Sequence, residues 1–273
     1  MTFTAADLDD LRRARRLLER PSLASKLTSL LGEPIERGVK LLPPAWSGLV
    51  TGATRRALQT ALAVAVGTLD DRAPRPAANR LHKIAVAATG AGGGAFGLAA
   101  LPIELPISTT VMLRSIADVA RSEGERIRTI EAQLACLEVF ALGGHPASDD
   151  AAETGYFAVR VALARAVSEA AEYIAERGVA QEGAPAIVRL IGLIASRFGV
   201  EVSEKVAAQA VPVIGAAAGA TINLLFVDHF QAVARGHFIV RRLERTYGAP
   251  LIRAAYDNQR LIGGGVEVLS SEF

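Results

Sequence analysis

Cysteine is almost missing from this chain. Cys136 stands alone, so no disulfide can form within the chain, and a reducing compartment is the simplest setting. Aromatic residues are scarce, at 5% of the composition. Alternating runs of Val, Ile, Thr and Tyr between turns are nearly absent, which leaves little from which to build a sheet. The net charge of +2 is too small a surplus to argue for nucleic acid as a partner. The opening MTFTAADLDDLRRARRLLER lacks the apolar core of a secretory signal, which gives a cytoplasmic expectation. No zinc-protease helix, P-loop or nucleophile-elbow pattern occurs. The chain is therefore expected to hold no metal and no cofactor.

Two long spans carry no charge. One runs over 84–103 (IAVAATGAGGGAFGLAALPI), the other over 206–227 (VAAQAVPVIGAAAGATINLLFV). About 20 uncharged residues is the length a helix needs to cross a bilayer. Yet these spans are mostly Ala and Gly. The first holds six strongly apolar residues, worth about −3 kcal/mol at roughly −0.5 kcal/mol each. Its five glycines and Pro102 oppose insertion. Buried hairpins, able to touch a membrane under some conditions, fit better than permanent spans. Gly90 and Gly94, Gly93 and Gly97, and Gly215 and Gly219 each stand four apart. That spacing smooths one helix face and admits a second backbone closely, at about 1 kcal/mol per interior glycine.

Apolar residues make up 51% of the chain, enough for a sizeable core. The patterns predict an all-α fold: a single helical domain with two central Gly/Ala-rich hairpins. The expected organisation is a basic amphipathic helix over 1–20, an all-α domain over 21–260 and a loosely ordered tail over 261–273. In the first helix Leu8, Leu11, Ala14 and Leu18 share one face, and Arg12, Arg13, Arg15 and Arg16 occupy another. Further helices are expected over 46–69, 77–101, from the Pro102/Pro106 interruption to Ser122, and over 125–142. After the loop 143–150, Asp149 or Asp150 should cap a helix to Arg177. A helix over 184–198, the second apolar span and a polar helix to Tyr247 complete the series. Gly124 and Gly248 read as C-caps. They lie 124 positions apart, as do Glu104 and Asp228, and Arg121 and Arg245. That echo suggests a degenerate repeat of one hairpin unit.

Gly92-Gly93-Gly94-Ala95-Phe96-Gly97 matches a dinucleotide fingerprint, but the context excludes it. Pro102 and Pro106 fall where the following helix should run, and no βαβ series surrounds the motif. The more informative acids are Glu104 and Asp228, each at the end of a charge-free span. Buried carboxylates need partners. Arg114, Arg235 and Arg242 on flanking helices are the candidates, with Glu244, for one structural ion network. The enzymatic alternative is an acid–base or metal site built from Glu104, Asp228 and His229, with His237 as a further member. His229 and His237 are eight apart, a poor spacing for two ligands on one helix. Cys136 reads as core, and His145 as a turn residue.

The C-terminal stretch VPVIGAAAGATINLLFVDHFQAVARGHFIVRRLERTYG resembles the EcsC protein family. The strongest positions are Pro212, Gly215, Gly219 and Asn223, followed by Asp228, Ala234, Phe238, Arg242, Leu243 and Glu244. The first glycine span is similar too, with its Leu101-Pro102-x-Glu104 turn and Leu113-Arg114-x-Ile116 helix. Glu104 stands where the family pattern often has Asp, which keeps the charge. The likeness runs from about residue 30 to residue 257. It implies membrane association, because the family is named from a protein encoded beside the subunits of an ABC transporter. It attaches no reaction and carries over no catalytic residue. The expected function is a cytoplasmic, membrane-peripheral accessory protein. Its partner would be an anionic membrane surface or a membrane protein, and Arg12, Arg13, Arg15 and Arg16 would supply attraction. The alternatives are a hydrolase using Glu104, Asp228 and His229, and a helical scaffold for oligomerisation.

Overall fold

A computed structural model describes residues 3–19, 23–31, 44–69, 101–144, 155–178, 184–209 and 216–263. Among these residues the chain is helical, with no strand. The all-α expectation holds. The first charge-free span up to residue 100, residues 210–215 of the second, His145, Asp149 and Asp150 lie outside the described residues. So do all but the last residue of the helix expected over 77–101, and residues 264–273 of the tail expected over 261–273.

Helix α1 covers Ala5–Leu18. Thr4 caps it, its hydroxyl accepting from the Asp7 amide at 3.1 Å. Leu11 and Ala14 are fully buried. They dock on α8 (Ala216–Tyr247) around Gly236. A Cβ on Gly236 would stand 2.7 Å from Leu18 Cγ and 2.9 Å from the Ala14 carbonyl oxygen, so only glycine permits this crossing. The basic helix is thus part of the helical body.

Helices α2 (Leu23–Leu31) and α3 (Pro44–Thr68) follow. Ala53, Ala57, Ala61 and Ala65 form a buried four-residue stripe on α3. Helix α4 (Leu101–Ser122) makes the most extensive packing with α3. Pro102 and Pro106 do not interrupt α4; both lie inside it. Pro102 falls in the first turn, where amides have no helical partner, and Pro106 forfeits a single bond. Gly124 ends the segment at φ +80°, as expected of a left-handed cap.

Helix α5 is Ile130–Leu142. It starts later than 125 because Thr129 caps it, accepting from the Ala132 amide at 3.3 Å. Every residue from Ala132 to Ala141 is buried, the mark of a helix enclosed on all sides. Helices α6 (Tyr156–Arg177) and α7 (Pro185–Gln209) pack against it. Helix α7 runs past the expected end near 198, through Gly199. Helix α8 is continuous through Asp228, with no change of element there. Gly248, at φ +89°, separates it from α9 (Ala249–Gly263).

Phe140, Phe198, Phe226 and Phe230 form the aromatic centre, with ring centroids 4.8–5.9 Å apart among the contacting pairs. A smaller core joins α1, α8 and α9 through Leu11, Ala14, Ile239, Leu243, Ile252 and Tyr256. Among the described residues, no helix is long and apolar enough to cross a membrane.

Candidate functional site

The structure distributes the polar residues singled out above over separate clusters. Glu104 on α4 is 8% exposed and meets Lys205 of α7, whose ammonium donates to it at 2.9 Å. The Asn223 amide of α8 adds a 3.4 Å contact to the same oxygen. Lys205 is fully buried, its nitrogen 5.3 Å from the centre of the Phe226 ring. The partner of Glu104 is therefore a lysine, where an arginine was expected. Arg114 donates instead to the Thr68 hydroxyl at 3.3 Å. Asp228 is half-buried on α8.

Arg235 and Arg242 serve another set of acids. Arg235 donates to Glu123 at 2.8 Å, and Arg242 to the same carboxylate at 3.1 Å. Arg242 also binds Asp10 and lies 3.7 Å from Asp7 on α1. Arg241 and Arg245 both hold Glu125. The turn around Gly124 is thereby tied to α8 and α1. Its two acids flank the glycine stop in the sequence, which was the available signal.

Glu244 belongs to a third cluster. Arg160 of α6 grips it with two bonds, at 2.7 and 3.0 Å. The Tyr156 hydroxyl lies 2.9 Å from Nδ1 of His237, and Arg160 donates to that hydroxyl at 3.4 Å. His237 is fully buried, and desolvation holds its pKa well below the ordinary histidine value.

His229 is committed elsewhere. Its Nε2 donates to the Gly143 carbonyl at 2.7 Å, at the end of α5. Arg197 closes the same helix end, donating to the carbonyls of Ala141 at 2.9 Å and Gly144 at 2.8 Å. These bonds satisfy carbonyls that the helix itself leaves open. A small cavity of about 90 Å³ lies beside them, bounded by Gly143, Arg197, His229 and Tyr156. Glu104 and His229 thus each have a structural engagement, in different places. Among the described residues no three His, Cys, Asp or Glu side chains converge as metal ligands. Cys136 is fully buried, and burial pushes its thiol pKa up, away from nucleophilic use.

The most distinctive site involves a residue the sequence reading passed over. Glu138 sits on the enclosed helix α5 and is only 7% exposed. It is the lone charge between Ala132 and Leu142, and that isolation was the signal in the sequence. It lines a cleft of about 580 Å³ between α5, α6, α8 and α9. Arg160, Arg241, Glu244, Phe157 and Arg253 line the same cleft. Desolvation raises the Glu138 pKa; Arg160 and Arg241 pull it back, and Glu244 adds to the rise.

That shift has a stability consequence. A folded-state pKa above the ordinary 4.5 means the folded chain holds this proton more tightly than the unfolded chain. The resulting stability is fully present below that value and is lost as pH climbs through the raised one. Glu138→Gln should therefore raise the melting temperature at about pH 8 and leave it nearly unchanged at about pH 4. Thermal unfolding of both proteins across that range is the check. A loss of stability at the higher pH would contradict the assignment.

These features define an all-helical protein with a densely packed central helix, internal ion pairs and a charged lateral cleft. The chain belongs to the EcsC protein family, whose profile matches residues 6–243. That match includes α1 and runs almost to the end of α8. No curated protein and no solved structure matches the chain.

Proposed function

We propose that the protein is a non-enzymatic accessory protein that works at the cytoplasmic surface of a membrane, through anionic lipid or a membrane-protein partner. The observation that carries this reading is the outer face of α1. Arg12, Arg13 and Arg16 are exposed there, while Leu11 and Ala14 fix the helix to the body. Arg15 differs: it pairs with Glu19 at 3.0 Å and lies 5.9 Å over the Tyr256 ring. Three arginines, not four, then remain for lipid. The Arg12–Asp9 pair at 2.7 Å is exposed on both sides and offers little resistance.

Because its apolar face is already buried, α1 acts as a charged ridge and does not insert. Ile103, the last residue of the first charge-free span, and Ile107, one turn further along α4, are 71% and 48% exposed. They add apolar contact of the kind a peripheral protein uses. The engagement of Glu104 with Lys205, and of His229 with Gly143, disfavours the hydrolase reading.

Each basic residue near anionic lipid is worth about 1 kcal/mol, so three give about 3 kcal/mol, or roughly a hundredfold in binding. The triple variant Arg12→Gln, Arg13→Gln, Arg16→Gln should lose that much sedimentation with phosphatidylglycerol vesicles. Arg15→Gln alone should change it little. Unchanged sedimentation of the triple variant would remove α1 from the mechanism.

A further inference from the structure

The cleft over Glu138 stands apart from the α1 ridge and is built like a ligand site. We propose that it binds a small zwitterion, a primary ammonium joined to a phosphate or carboxylate, with the ammonium against Glu138 and the anionic group at Arg253.

Hydrogen bonds match the charges around the cleft only in part. Arg160 is engaged by Glu244 in a two-bond pair, and Arg241 by Glu125 at 2.8 Å. Both guanidiniums are thereby answered. Glu138 feels both guanidiniums electrostatically, yet among the described residues no hydrogen bond or ion pair reaches its carboxylate, though it is 7% exposed. Burying a carboxylate without a partner is costly, and a well-packed apolar residue would serve a purely structural helix better. Glu138 opens onto a cleft of about 580 Å³, inside the range of small-molecule sites.

The cleft's exposed lining carries one acid, Glu131, and one base, Arg253. Arg253 is exposed, its guanidinium 5.7 Å over the Phe157 ring, and no carboxylate pairs with it among the described residues. A carboxylate without a hydrogen-bond donor thus lies deep, and a guanidinium without a carboxylate partner lies outside, with the exposed Glu131 on the same wall. A simple anion would meet Glu138 unfavourably. A simple cation would leave Arg253 unused. A ligand with its cation inward and its anion outward answers both. An ammonium supplies charge-assisted donors to Glu138, and a guanidinium suits phosphate and carboxylate alike. Phe157, Val161 and Pro250 supply apolar wall.

The test uses the full chain. Phosphoethanolamine and β-alanine are titrated by calorimetry, as the phosphate and carboxylate probes. At least one should bind, and Glu138→Gln and Arg253→Gln should each weaken it about tenfold or more, a step of about 1.4 kcal/mol. Glu138→Gln should do so while melting no lower than the native chain, which separates loss of binding from loss of fold. Phosphatidylcholine vesicles with and without phosphatidylethanolamine decide between a free solute and a lipid headgroup. For a headgroup, the ethanolamine vesicles sediment more protein. That preference disappears in Glu138→Gln and survives in the α1 triple variant, so this proposal and the α1 reading fail separately. Absence of binding to both solutes together with no ethanolamine preference overturns the proposal, as does binding that survives both cleft substitutions.

Discussion

Lys205→Met should destabilise the protein by about 3–5 kcal/mol, the cost of leaving a buried charge without its partner. The orphan would be Glu104, which is 8% exposed and otherwise touched by Asn223 at 3.4 Å. A neutral amide at that distance cannot replace an ammonium at 2.9 Å. Glu104→Gln combined with Lys205→Met should recover most of the loss, because the pair's own net contribution is small once both charges are gone. Urea denaturation of the two single variants and the double variant closes the cycle. A single-variant cost below about 1 kcal/mol would be the value of an exposed pair and would contradict the burial.

The position of this pair gives the result wider meaning. Glu104 is on the first turn of α4, at the end of the first charge-free span. Lys205 is the last charge before the second span, and Asn223 lies within it. The pair therefore ties three helices together where the two uncharged spans enter the described body. A carboxylate used in this way is a fastening between helices.

The sequence disclosed the helices more readily than the partners. Helix α3 was legible at both ends, because Pro43-Pro44 and the polar stretch after Leu69 bracket an uninterrupted pattern. Gly124 and Gly248 were legible because a left-handed cap favours glycine, and both show positive φ. The helix expected over 184–198 ended too early: α7 continues through Gly199, with open space where its side chain would be. Pro102 and Pro106 misled in the opposite sense, since prolines near a helix start are tolerated. Partners were harder because they come from distant elements. Lys205 lies 101 positions from Glu104, and Arg160 lies 84 from Glu244. No local periodicity encodes such a meeting. Backbone-to-backbone docking through glycine was anticipated in the two charge-free spans. Within the described residues it occurs elsewhere, at Gly236 and Gly144.

Gly143→Ala and Gly144→Ala should each cost about 1–3 kcal/mol, with Gly144→Ala the more severe, because both insert a methyl where no space exists. At Gly143 the backbone is ordinary, with φ −80°, so the requirement is spatial. A Cβ there would stand 2.5 and 2.8 Å from two carbons of the Phe230 ring. That ring cannot retreat: it is fully buried, with Phe226, Phe198 and Phe140 at 5.2, 5.4 and 5.5 Å. At Gly144 the obstacle is the backbone of α7, the Arg197 carbonyl oxygen at 2.5 Å. A backbone yields less than a side chain, and Arg197 and His229 hold the same helix end through their bonds to Ala141, Gly143 and Gly144. Gly192→Ala and Gly199→Ala on α7 supply the contrast. Neither methyl would meet anything within 4 Å, and removing an interior helix glycine should stabilise by up to about 1 kcal/mol. Chemical denaturation of the four variants should therefore divide them by sign. Four shifts in one direction would mean that close approach at the end of α5 is not what keeps those two positions free of side chains.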